Sequence, residues 1–399
     1  MSQRRPVARL AALDGLRLVA ALMVVCYHYL ALNRPWGPND PAALFPTPHK
    51  FAEFGWLGVE VFFLVSGFVI CMSVWGRSLG DFAVSRASRL FPAYWVAVPL
   101  TALVVKKWPE VTSTRGWDDV IVNLTMVQAG NNTKNVDDVY WTLFVELKFY
   151  VLMAAVVLCG VTYRNLLIFC GVWTVAAALA PSLGLPALAA FAMPQYAPFF
   201  VAGIAFYLMR RFGPNALLWG IVLFQLLLSQ RYIHYRIASN LGHVAAEHLP
   251  TWPVRLIIVA GFAVVGAIAL GVFDRVQWNW LTTAGAITYP LYLIHMFIGM
   301  TLIHHFRNRL PDPVLVVSVI ALMMATAWLV HRFVERPVGK WIRDSMKRGI
   351  EEVRLNTPAR QQRRTRVGIQ ASPAPTTPTE DEKRARVKEK SRAEYHVAD

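Results

Sequence analysis

Long apolar runs alternate with short polar breaks from Leu10 to about Val334. Ten runs can be drawn, at about 12–32, 54–75, 90–106, 140–159, 165–180, 195–210, 214–229, 254–273, 285–303 and 314–334. A helix needs roughly 20 apolar residues to cross a bilayer core, so this pattern predicts an all-α polytopic membrane protein with about ten transmembrane helices. The fifth to seventh runs are short and interrupted by Pro181, Pro186, Pro194 and Pro198. Discontinuous or tilted helices are expected there, since such breaks are tolerated where protein or a water-filled cavity surrounds them. No internal repeat is visible.

Composition sharpens the reading. Of 399 residues, 56% are hydrophobic and only 16% charged, which excludes a soluble multidomain fold. The formal charge of +16 is spread over short loops and the two chain ends rather than gathered into a nucleic-acid surface. Arg4, Arg5 and Arg9 precede the first run, and basic residues on one side of the membrane mark the cytoplasmic face. With the N-terminus inside, Arg77, Arg86, Arg89, Arg164, Arg210, Arg211 and Arg275 all fall on that face. An even number of spans returns the C-terminus to it, so both termini are expected to be cytoplasmic. The outer loop at about 230–253 fits less well, since it carries Arg231, Arg236 and three histidines.

Two regions follow: a membrane domain at 1–343 and a basic, mostly disordered cytoplasmic tail at 344–399, where Pro, Thr and Gln mix with clustered charge. The first run is long and lacks a clear small-residue cleavage site, which argues against a signal peptide. Cys26, Cys71, Cys159 and Cys170 lack zinc or disulfide-framework spacing and read as buried free thiols, so no metal is expected.

Four clusters break the apolar background. Asp14 and Arg17 are followed by His28, eleven positions after the arginine and about 16 Å further along a helix. Ionisable groups inside a membrane span are expensive, and this makes the pair a functional-site candidate. The second cluster runs from Gly58 and Glu60 through Phe62, Phe63, Ser66 and Gly67 to Arg86 and Arg89. Trp141, Thr142 and Glu146 form the third, and Tyr289, Tyr292 and His295 the fourth.

In this order, the Arg-x10-His pair, the phenylalanine-rich segment ending in Ser66-Gly67, the Arg86-x2-Arg89 pair and the Trp-Thr-Leu-x2-Glu element resemble the acyltransferase-3 family of integral membrane O-acyltransferases. The resemblance covers roughly residues 10–340. Thr142 stands where members often have serine, and Glu60 where many have another polar or acidic residue. The soluble esterase-like domain fused to some members has no counterpart here.

The resemblance implies transfer of an acyl group, commonly acetyl from acetyl-CoA, to a hydroxyl of a carbohydrate, glycolipid, cell-surface glycan or natural product such as a macrolide. It also implies a multi-pass protein of the bacterial plasma (inner) membrane. Acetyl-CoA or another acyl-CoA would be a donor substrate, and no permanently bound cofactor is expected. His28 is the expected general base, with Glu146 at similar depth as its partner; an acyl-histidine intermediate is the rival. Arg86 and Arg89, three positions apart on one helical face, suit the phosphates of coenzyme A, because guanidinium groups form paired hydrogen bonds with phosphate oxygens. Arg17, with Asp14 as its partner, would line the pantetheine path. Trp141, Thr142, Tyr289, Tyr292 and His295 are the expected acceptor contacts. Intramembrane Arg, His and Glu also mark transport pathways, so a transporter is the non-enzymatic alternative.

Overall fold

A computed structural model describes residues 10–242 and 249–356. The expectations for the tail at 357–399 and for His243 and His248 lie outside the described residues. Every regular element described is helical. The longer helices are α1 (Ala11–Leu30), α2 (Gly58–Val74), α3 (Leu79–Lys107), α4 (Trp141–Leu158), α5 (Tyr163–Leu183), α6 (Ala197–Phe212) and α7 (Ala216–Ser229). After them come α8 (Ile233–Leu241), α9 (Trp252–Ala269), α10 (Asn279–Ile294), α11 (Met296–Phe306), α12 (Asp312–Val330) and α13 (Arg336–Asn356). Nine stretches are long and apolar enough to cross a membrane, ten if the bent pair α10–α11 is one span.

Each expected run has a helix, with three differences. The third begins at Leu79 rather than near residue 90, because Ser78 caps it by accepting from the Asp81 amide at 3.1 Å. Arg86 and Arg89 therefore sit two turns inside α3 and not at its start. The ninth run is not one helix: α10 and α11 meet at 67° across His295. Residues 344–356, assigned to the tail by sequence, are helical. Among the cysteines, Cys71 and Cys170 are buried, Cys26 is half-buried and Cys159 is exposed at the end of α4.

The break at His295 is stabilised by side chains. A bend frees backbone carbonyls, and inside apolar protein each needs a donor. Tyr29 donates to the His295 carbonyl at 2.6 Å, Tyr140 to that of Leu293 at 3.3 Å, and the His295 ring to that of Tyr292 at 2.8 Å. Asp137 accepts from the Phe297 amide at 3.0 Å, capping the first turn of α11 from a distant segment. Pro290, one turn before the break, supplies no amide hydrogen to α10.

Helix α1 packs against α2 and α10, and α2 against α6. Gly67 of α2 faces the Phe200 carbonyl of α6, and Gly203 of α6 faces that of Leu64; a Cβ at either would collide with backbone. Small residues that let two helix backbones touch are a recurrent device in membranes, where apolar burial alone distinguishes helix from lipid poorly.

Candidate active site

Apart from Arg86 and Arg89 on α3, the clusters converge from four helices. Helix α1 brings Asp14, Arg17 and His28; α2 brings Ser66; α4 brings Trp141, Thr142 and Glu146; α10 and the break after it bring Tyr289, Tyr292 and His295. Two cavities lie between them. The larger, about 410 Å³, is lined by His28, Tyr27, Arg34, Trp56, Trp141 and Tyr292, among others. The smaller, about 70 Å³, is lined by Arg17, Ser66, Thr142, Glu146, Tyr289 and Tyr292. Val59 and Tyr292 border both, so these two side chains form the partition between them.

At the larger cavity, His28 Nδ1 lies 3.0 Å from His295 Nε2, and both residues are buried. His295 Nδ1 lies 2.8 Å from the Tyr292 carbonyl. A carbonyl only accepts, so this contact assigns the proton of neutral His295 to Nδ1 and makes its Nε2 an acceptor. His28 must then donate from Nδ1, which leaves the lone pair on His28 Nε2. The His28 ring also has the Val24 carbonyl within hydrogen-bonding reach, and a buried imidazole that borders a cavity is equipped to take a proton.

Glu146 does not fill the role expected of it beside His28. It lies at the smaller cavity, where Ser66 Oγ donates to its carboxylate at 3.1 Å. Arg17 lines the same cavity, within electrostatic reach of both Glu146 and Asp14. Asp14 packs against Gly285, where a Cβ would collide with its carboxylate. The Tyr150 hydroxyl, one turn along α4 from Glu146, interacts with Glu146 and with Arg86.

At the partition, Thr142 Oγ1 lies 2.9 Å from the Val139 carbonyl and 3.0 Å from Tyr292 Oη. Tyr289 reaches out of the cluster to donate to the Leu90 carbonyl of α3 at 3.0 Å. Trp141 spans both the larger cavity and the ring of Tyr196, 5.4 Å away between centroids.

The two α3 arginines differ. Arg86 lies over the rings of Phe82 and Tyr150 at 5.9 and 5.7 Å, and its Nε has no acceptor among the described residues. Arg89 pairs with Glu335 at 2.6 Å, and Glu335 also meets His331 at 2.9 Å. Glu335 closes the single turn of π-helix, His331–Glu335, that leads into α13.

Sequence reasoning gave no role to Trp56, Tyr150, Arg236 or Asp137. Arg236, read as a loop cation, is buried on α8 and paired with Glu60 of α2. An acidic residue inside an apolar helix was the available signal for that pair, because a buried carboxylate requires a counter-charge.

Comparison with known proteins identifies the family. The family described as an acyltransferase domain matches residues 10–332. The chain is similar to Acyltransferase MdmB of Streptomyces mycarofaciens, 30% identical over 156 residues, or 36% of this chain and 38% of the relative. It is similar to Peptidoglycan O-acetyltransferase OatA of Listeria monocytogenes, 26% identical over 37% of this chain and 24% of the relative. Both matches thus span less than two fifths of the relative's length. Nodulation protein 10 of Rhizobium leguminosarum bv. viciae is 28% identical over 78% of this chain and 90% of its own length. No solved structure matches. With the match running through all four residue clusters, the chain belongs to the acyltransferase-3 family.

Proposed function

We propose that the protein transfers an acetyl or other short acyl group from acyl-CoA to a hydroxyl of a carbohydrate acceptor, and that His28 is the general base. The observation that carries this reading is the chain from the Tyr292 carbonyl through His295 to His28, ending at a 410 Å³ cavity. The acceptor enters that cavity, and its hydroxyl proton passes to His28 Nε2 as the oxygen attacks the thioester carbonyl carbon. The tetrahedral intermediate collapses with rupture of the C–S bond. The proton held by His28 goes to the departing thiolate, so the products are an ester and free CoA thiol.

The donor arrives through the smaller cavity. Arg86 does not line that cavity but stands beside Tyr150, one turn along α4 from Glu146, and is the proposed phosphate contact at the cytoplasmic end of the path. Arg17 and Glu146 flank the thioester arm, while Tyr292 and Thr142 hold its carbonyl at the partition. Arg89, already paired with Glu335, fixes α3 beside the donor path and adds positive potential. In this scheme Arg86 faces the cytoplasm, both termini are cytoplasmic, and the acceptor is reached from the outer face of the plasma membrane. The relative named as a peptidoglycan O-acetyltransferase supports acetyl as the group moved.

The test is release of free thiol from acetyl-CoA by protein in nanodiscs, with neutral glycans and macrolides offered as acceptors. Acceptor-dependent release that disappears in His28→Ala, with acetyl-CoA binding retained, is the expected result. Full turnover by His28→Ala would reject the assignment of the base, and absence of acetyl-CoA binding by the parent would reject the donor.

A further inference from the structure

A second cavity of about 290 Å³ adjoins the one at His28. Its walls include Trp56, Trp141, Gln195, Tyr196, Arg236 and Asn240. Trp56, Trp141 and Asn240 also line the His28 cavity, so the second space is a side lobe of the first. Gln195 belongs to the side lobe alone. It stands in the short connection before α6, where Met193 takes a left-handed backbone at φ 49° and turns the chain.

The chemistry of this lobe is specific. Arg236 is its only charged wall residue among the described residues, and the ion pair with Glu60 offsets that charge. The guanidinium is packed over Trp56, Tyr196 and Phe199 at 5.5, 5.4 and 5.5 Å. An occupant therefore meets aromatic faces, two side-chain amides and almost no net charge. The neutral polar groups on its wall include the side-chain amides of Gln195 and Asn240 and the Ser239 hydroxyl. Covering such groups without answering them costs about 1–3 kcal/mol each. A hydrocarbon chain would satisfy the rings and leave the amides unanswered. An anionic headgroup would find no uncompensated cation among the described residues. A neutral sugar ring offers C–H faces to the aromatics and hydroxyl groups to the amides, the combination of apolar walls and few polar anchors that small-molecule sites use.

We infer that the side lobe is a second acceptor subsite for a neutral sugar residue, adjacent to the residue whose hydroxyl reaches His28, so that the acceptor is a saccharide of at least two units. This rests on the acyltransferase reading above and narrows its acceptor from any hydroxyl compound to a neutral oligosaccharide.

The test separates the two claims by measuring binding without donor and turnover with it. Glucose and cellobiose, N-acetylglucosamine and chitobiose, and galactose and lactose are titrated calorimetrically into the full chain in nanodiscs, and thiol release from acetyl-CoA is then followed with each. The parent is expected to bind the disaccharide of at least one pair about tenfold or more tighter than its monosaccharide. Gln195→Trp, which fills the lobe, should abolish that gain while leaving monosaccharide affinity unchanged; Gln195→Ala should reduce it. Equal affinity for both lengths in all three pairs, no binding of any sugar, or a gain that survives Gln195→Trp would overturn the subsite. Length-dependent binding without thiol release would reject the acyltransferase reading and keep the subsite. Thiol release without length dependence would do the reverse.

Discussion

His28 Nδ1 lies 3.0 Å from His295 Nε2, joining residues 267 positions apart. The bond fixes which nitrogen of His28 is free, and its value depends on His295 remaining an acceptor. His295→Phe keeps a ring in place and removes that acceptor. It is expected to lower kcat by about 10- to 100-fold, the scale set by losing the partner that orients a metal-bound imidazole, with little change in the KM for acyl-CoA. His28→Ala should cost about 100- to 10,000-fold. Steady-state thiol release, with the pH profile of His295→Phe compared with the parent, checks both; equal kcat in His295→Phe and parent would remove the dyad from the mechanism.

Arg86 and Arg89 should separate in experiment, although the sequence presents them as a matched pair. Arg86 has no carboxylate partner among the described residues, so Arg86→Ala should raise the KM for acyl-CoA several-fold and leave thermal stability near the parent's. Arg89 holds the buried Glu335 carboxylate, and losing one member of such a pair is strongly destabilising. Arg89→Ala should lower the melting temperature, and Arg89→Ala combined with Glu335→Gln should recover much of the loss. Nucleotide-analogue binding and thermal unfolding, run on all four proteins, distinguish donor contact from structural ion pair.

The helices and the cluster residues were legible because both are written locally. Runs of apolar residues announce spans wherever lipid is the solvent, and a charge or imidazole inside one stands out against it. The partner of His28 was not legible. Glu146 lies at a plausible depth on α4, but its carboxylate turns toward Ser66 and Arg17, while a 67° break delivers His295 instead. That break depends on Tyr29, Tyr140 and Asp137 answering the backbone of α10 and α11 from elsewhere in the chain, and no local pattern records such long-range partners. Arg236 failed for the same reason: its loop-like sequence context gave no sign that α8 turns it inward onto Glu60.

The Glu60–Arg236 pair predicts a stability signature. Both side chains are almost fully buried, so desolvation opposes their attraction and the pair as a whole contributes little, whereas breaking it strands a charge at about 3–5 kcal/mol. Arg236→Met should therefore be poorly stable, and Glu60→Leu combined with Arg236→Met should approach the parent in thermal unfolding. A double variant as unstable as Arg236→Met would mean that packing of the guanidinium among the three rings, rather than the charge pair, holds α8 in place.

Asp137 predicts a pH dependence of the fold near His295. It is buried, accepts from the amides of Phe297 and Val139 at 3.0 and 3.2 Å, and burial pushes its carboxyl from the ordinary 3.8 up to about 7. Because the folded value is raised, the protonated carboxyl is the form the fold favours. Its stabilising contribution is fully present below about pH 4, declines as pH rises, and is lost once pH passes about 7. Asp137→Asn keeps an acceptor oxygen and cannot ionise. The melting temperature of the parent should therefore fall more steeply between pH 5 and pH 8 than that of Asp137→Asn, with the difference between the two curves reporting Asp137 alone. Parallel curves across that range would place the carboxyl at an ordinary value and leave its two amide hydrogen bonds as its whole contribution to the start of α11.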